Sequence, residues 1–197
     1  MTLSFDDLVR AQQLTRTFTT DPVPDELVEW MLDLAARAPR PDEERPLSFV
    51  VVRDPEVRAV LRTVLDAVGC APVQVVVAAE PLAIDLARGR GAVDGLAGAM
   101  AAVQNLTLAA GAVGLGAAVA AAPLPPQVGS AVGLPELVQP VAVVGLGRSA
   151  QAPTPPVHAA FESVTHRERY GAPWDQPVPV KAGRGFEGPG WAQRLGA

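Results

Sequence analysis

Two spacings of apolar residues alternate along this chain. Leu27, Met31, Leu34, Ala35 and Ala38 recur at three to four residues behind Pro24, Asp25 and Glu26. Proline suits a first helical position and carboxylates favour the positive end of a helix dipole, so a helix opens at Pro24 and stops at Pro39 and Pro41. The same spacing at Val57, Val60, Leu61, Val64, Leu65 and Val68, behind Asp54-Pro55-Glu56, predicts a second helix with those residues on its packed face. Continuous β-branched runs at residues 47–53, 72–79 and 139–146, bounded by turn residues, read instead as buried strands. Ser4 with Asp7 three residues on starts a helix reaching about Leu14, and the chain is then extended from Thr15 to Val23. Residues 117–122 suit a short strand, and 125–132 a short helix stopped by Gly133. Such alternation predicts an α+β fold, a three-layer α/β/α sandwich around a mixed central sheet buried on both faces.

One stretch breaks the usual balance of apolar and charged positions. No charged side chain occurs from Gly95 through Pro135. The helix expected over residues 94–113, closed by Gly114-Leu115-Gly116, must therefore be packed on nearly every side, and we expect it to be central and to form a subunit interface. A membrane span is the competing reading. Gln104, Asn105 and Thr107 inside the stretch, its Ala and Gly content, and the break at Pro123 argue against it.

Composition narrows the function classes. The 197 residues suffice for one well-buried domain, expected over 1–170, while 171–197 is a tail rich in Pro and Gly. Trp174, Phe186 and Trp191 within the tail suit an arm laid across a partner subunit, and its Pro and Gly content equally suits a disordered terminus. A net charge of -5 without basic runs gives no footprint for nucleic acid. Cys70 is the sole cysteine, so no intrachain disulfide forms; we read it as a small buried hydrophobe before a strand. With only His158 and His166 beside it, a zinc site is not expected. The His166-Arg-Glu-Arg-Tyr170 run reads as a solvated helix face. The first residues lack the basic and apolar regions of a secretory signal, so the expected location is cytoplasmic.

The order of short motifs carries a family resemblance. It comprises Arg16-Thr-Phe18, Asp21-Pro-Val-Pro-Asp-Glu-Leu27, Leu34-Ala-Ala-Arg-Ala-Pro39, Arg45-Pro46 before Phe49-Val-Val-Val52, Gln104-Asn-Leu106, Ala109-Ala-Gly-Ala-Val-Gly-Leu-Gly116, Gly133-Leu-Pro135 and Val141-Ala-Val-Val-Gly-Leu-Gly-Arg148. Together they resemble the FMN-dependent nitroreductase family over about residues 5 to 171. That resemblance implies a homodimer packed through its long helices, with FMN in a groove at the interface. It also implies an NAD(P)H donor and a small organic acceptor of nitro, quinone or enone type. The flavin carries such chemistry, so no catalytic acid or base is expected.

The resemblance implies a cofactor site, and this sequence departs from the family there. The phosphate motif Arg-Arg-Ser-x-Arg falls on Gln12, Gln13, Leu14, Thr15 and Arg16, keeping only the last arginine. The loop Ser-x-x-Asn-x-Gln-Pro-Trp becomes residues 40–47, with Arg40 at its start, Glu43 in the Asn place and Arg45 in the Gln place. The Arg expected before Val164-Thr-His166 is replaced by His158 or Ala159. Arg148 and Arg40 could compensate, and the backbone N–H groups of Ala120, Ala121 and Ala122 correspond to the segment facing the flavin. Arg16 would meet the flavin's pyrimidine edge or pair with Asp21; Gln104 and Asn105 would touch a cofactor or bond across the dimer. Three functions follow as expectations: a flavin oxidoreductase acting on a small molecule, a protein of the same fold that has lost FMN and serves as a non-catalytic binding, scaffold or partner subunit, or one whose groove takes a different ligand against a polar wall of Arg40, Glu43 and Arg45.

Overall fold

Four strands, β1 (Leu47–Val52), β2 (Val73–Ala79), β3 (Gly116–Ala121) and β4 (Gln139–Gly147), form one sheet in the order β1-β2-β4-β3. The computed structural model describes residues 4–12, 14–39, 47–65, 68, 70–79, 93–152 and 159–175. Its helices are α1 (Phe5–Ala11), α2 (Asp25–Ala36), α3 (Pro55–Val64), α4 (Val93–Ala112), α5 (Gln127–Ala131) and α6 (Phe161–Val164). By internal contacts the chain divides into two units, 1–156 and 157–197.

The first unit has the three expected layers. Val73, Val75 and Val77 of β2 and Ala142, Val144 and Leu146 of β4 pack with Met31 and Ala35 of α2 and with Ala99, Ala102, Val103 and Leu106 of α4. Val76 and Val143, on the opposite face, pack with Leu61 of α3 and Val128 of α5. Alternation along a strand sends neighbouring valines to opposite cores, which is why β2 reads as an unbroken apolar run. Each such side chain withdrawn from water contributes about 1.5–3 kcal/mol.

All four strands pair antiparallel; parallel pairing among the described residues is confined to the bridge between Leu14 and Ala117. The sheet expected as mixed is thus antiparallel within its strands. Helix α1 stops at Ala11, short of the expected Leu14. Beyond it the Thr15 N–H donates to the Ala117 carbonyl at 2.7 Å, and a helix running to Leu14 would forgo that bond. At its start, Ser4 and Asp7 form the reciprocal capping box. In α3, Leu61 is buried but Val60, expected on the packed face, is 44% exposed.

Helix α4 has one buried face and one open face. Ala99, Ala102, Val103, Leu106, Ala109 and Ala110 are buried, whereas Leu96, Ala97 and Gln104 are exposed and Met100, Ala101 and Leu108 half-buried. Its end follows the expected glycine cap: Gly114 has φ of 73° and the Leu115 N–H donates to the Ala110 carbonyl at 2.9 Å. No helix of the described residues is long and apolar enough to cross a membrane.

Within the second unit, His166 bridges Pro173, and residues 166–170 are bends and turns rather than the helix face expected. Phe161 meets Trp174 edge-on at 5.6 Å, and the Arg167 guanidinium lies 5.0 Å from the Trp174 ring centre. The residues from 176 onward, where the arm or tail was expected, lie outside the described residues.

Candidate functional site

Three segments meet where α4 ends. Helix α1 brings Leu8, Ala11 and then Gln12, the last turns of α4 bring Thr107, Leu108 and Gly111, and the start of β3 brings Gly116 and Ala117. Together with Thr15, Gly114, Leu115 and Ser149 they line a cavity of about 210 Å³. No lining residue is charged. Gly116 makes the approach possible, since a Cβ there would collide with the Thr15 side chain.

Gln12 is consumed by this architecture. Its amide nitrogen donates to Thr107 Oγ1 at 2.7 Å, and its amide oxygen accepts from Gln104 Nε2 at 2.9 Å. Thr107 in turn donates to the Gln104 carbonyl at 2.9 Å. Gln104 and Asn105 therefore work within the chain, Asn105 donating to the Leu34 carbonyl of α2 at 3.2 Å. These two residues tie α1 and α2 to α4.

The other candidates spread over one end of the sheet. Leu14 is 57% exposed and bridges β3 at Ala117. Arg16 is exposed and forms no ion pair among the described residues; Asp21 instead accepts from Thr19 Oγ1 at 2.9 Å. The strip continues along the end of β4, where Phe18 bridges Ser149 and the Thr19 N–H donates to the Arg148 carbonyl at 2.9 Å. Arg148 is exposed, so topology places it and Arg16 on neighbouring strips at this end of the sheet. Gln13, Arg40, Glu43 and Arg45 lie outside the described residues.

The three alanines are not equivalent. The Ala122 N–H donates to the Val141 carbonyl at 2.8 Å, and antiparallel alternation turns Ala120 toward β4 as well. Ala121 and Val119 direct their backbone groups to the outer edge of β3, where no described residue pairs with them. Thr15, Thr107 and Ser149 also line the cavity and were not among the expected site residues. Nothing in their spacing marked them, because the wall they form joins segments about a hundred positions apart.

Comparison with known proteins gives this arrangement its family. The model of the nitroreductase family matches residues 10–70 and 65–148. The chain belongs to the nitroreductase family. Its fold is similar to that of a nitroreductase family protein from Clostridium difficile 630, at 18% identity over 85% of this chain and 99% of that one, with a TM-score of 0.74. Nitroreductase A from Vibrio parahaemolyticus RIMD 2210633 is similar at 21% identity over 83% of this chain and 74% of that one, TM-score 0.69. A protein provisionally named NADH dehydrogenase/NAD(P)H nitroreductase from Bacteroides thetaiotaomicron VPI-5482 reaches 27% identity over 83% and 96% of the two chains, TM-score 0.68. Family membership supports a general oxidoreductase function, with FMN as the usual cofactor.

Positions 12 and 14 do not supply the charged grip that the family motif places on the phosphate of FMN, which leaves the exposed Arg16 and Arg148 as the described cations at this end of the sheet. A phosphate dianion needs bidentate cations or donors free to turn toward it. Gln12 has its donor on Thr107 and its acceptor on Gln104, Leu14 has no polar atom in its side chain, and the adjoining cavity has no charged lining.

Proposed function

We propose that this nitroreductase-family chain is an oxidoreductase that takes a flavin by its ring and ribityl chain and makes little of its phosphate. A bound flavin would supply the redox chemistry, drawing electrons from a nicotinamide donor and passing them to a small organic acceptor of nitro, quinone or enone type. The observation that carries this reading is the pairing of a consumed Gln12 with an exposed Arg16 that has no carboxylate partner among the described residues. Arg16 and Arg148, with the outward backbone groups of Ala121, would meet the flavin's polar edge.

The partner in this reading is a second copy. The open face of α4, made of Leu96, Ala97, Met100, Ala101, Gln104 and Leu108, has no charge and suits self-association. A visible spectrum of the purified protein, followed by titration with riboflavin and NADH-driven reduction of menadione, tests the activity. Flavin bands and turnover support it. A protein that ignores riboflavin and FMN alike would refute it and leave the second reading, a non-catalytic binding, scaffold or partner subunit, which the internal bonding of Gln12 favours. The double variant Gln12→Arg with Leu14→Ser should raise FMN affinity at least about tenfold while leaving riboflavin unchanged, since a charged contact contributes about 1.5–3 kcal/mol.

A further inference from the structure

The cavity between α1, α4 and β3 contains one polar group that the protein leaves unused. Thr15 is only 8% exposed, and its N–H is spent on the Ala117 carbonyl, but its hydroxyl has no hydrogen-bond partner among the described residues. The neighbouring polar groups are all engaged: Gln12 and Thr107 with each other and with Gln104, and the Ser149 hydroxyl with the Gln151 carbonyl at 2.8 Å. Thr15 lines the cavity, so its hydroxyl is a donor that no described residue uses and that a ligand there can engage.

We propose that this cavity binds an uncharged single-ring aromatic compound carrying one carbonyl, which accepts a hydrogen bond from the Thr15 hydroxyl. Size sets the ring count: a dry cavity of about 150 Å³ takes a benzene, and the 210 Å³ here leaves room for one substituent. Leu8, Ala11, Leu108, Leu115 and Ala117 supply apolar walls. Charge sets the exclusion. With no Lys, Arg or His in the lining, a carboxylate or phosphate would lose its hydration without gaining a counter-charge. The site does not depend on whether a flavin is bound elsewhere.

The test uses benzamide and benzoate, which share shape and differ in charge, read by 1H–15N shifts at Gly111, Gly116 and Ser149. Benzamide should shift these amides saturably in the millimolar range, as its few heavy atoms permit, and benzoate should bind at least tenfold more weakly. Thr15→Val, which keeps the shape and removes the hydroxyl, should weaken benzamide about fivefold, the value of one neutral hydrogen bond. Ala11→Phe, at an exposed helix position, should fill the mouth and abolish the shifts. No saturable shift, equal affinity for benzoate, or unchanged affinity in Thr15→Val overturns the proposal. The readout comes from the pocket amides themselves, so its failure is distinguishable from failure of flavin binding.

Discussion

Replacing Gln12 by Ala removes two hydrogen bonds at once, the donation to Thr107 Oγ1 at 2.7 Å and the acceptance from Gln104 Nε2 at 2.9 Å. Helix α1 contributes no buried residue, so these bonds and the contact of Leu8 with α4 near Gly111 hold it in place. Neutral hydrogen bonds of this kind are each worth about 0.5–1.5 kcal/mol net, giving a loss of about 1–3 kcal/mol. For a chain of this size that lowers the melting temperature by about 2–4 °C per kcal/mol. Differential scanning calorimetry measures the shift, and hydrogen exchange shows whether the amides of α1 lose protection first. A melting temperature within about 1 °C of wild type, with α1 exchange unchanged, would show that Gln12 is not a structural tie.

Further outcomes follow from other parts of the fold. Gly145→Ala should destabilise the protein by about 1–3 kcal/mol in urea unfolding, because the added Cβ meets Ala71 Cβ at 2.8 Å and the backbone Val68 carbonyl at 3.0 Å; an unchanged midpoint would contradict that packing. Met100→Glu, on the open face of α4, should convert a dimer to a monomer in light scattering, and a dimer that survives would move the interface elsewhere. The Asp7 carboxyl is held below its ordinary 3.8 chiefly by the Ser4 hydroxyl and then by the Ser4 N–H. A depressed carboxylate stabilises above its unfolded value and loses that effect as pH falls through its folded value. The amides at the start of α1 should therefore begin to exchange faster below the ordinary Asp range, and Asp7→Asn should erase that pH dependence.

Much of the fold was legible because burial on both sides leaves an unmistakable pattern. The runs at β1, β2 and β4 and the stretch of α4 after Asp94, which carries no charge, marked buried elements, and the alternation of Val75, Val76 and Val77 between two cores explains why no period-2 pattern showed. The end of α1 was less legible: its apolar spacing continues to Leu14, but a bond from Thr15 to a strand about a hundred residues away wins. Cys70 is exposed, not buried, with Arg62 Nη1 at 3.5 Å from its sulfur, since it precedes the strand on a turn instead of entering it. At the site, sequence marked the loss of two arginines and a serine at 12–14 but not how Gln12 is bonded. The tie of Gln12 to Gln104 and Thr107 joins residues 92 and 95 positions apart, beyond any local period.

In the proposed site, internal amide bonding of Gln12 takes the place of the family's anion grip. Titrating the wild-type protein with FMN and with riboflavin under identical conditions measures that directly. Dissociation constants within about threefold of each other, a difference below 1 kcal/mol, are the predicted result. An FMN affinity tenfold or more above that of riboflavin would show that the phosphate is held and contradict the proposed loss of its grip at Gln12 and Leu14.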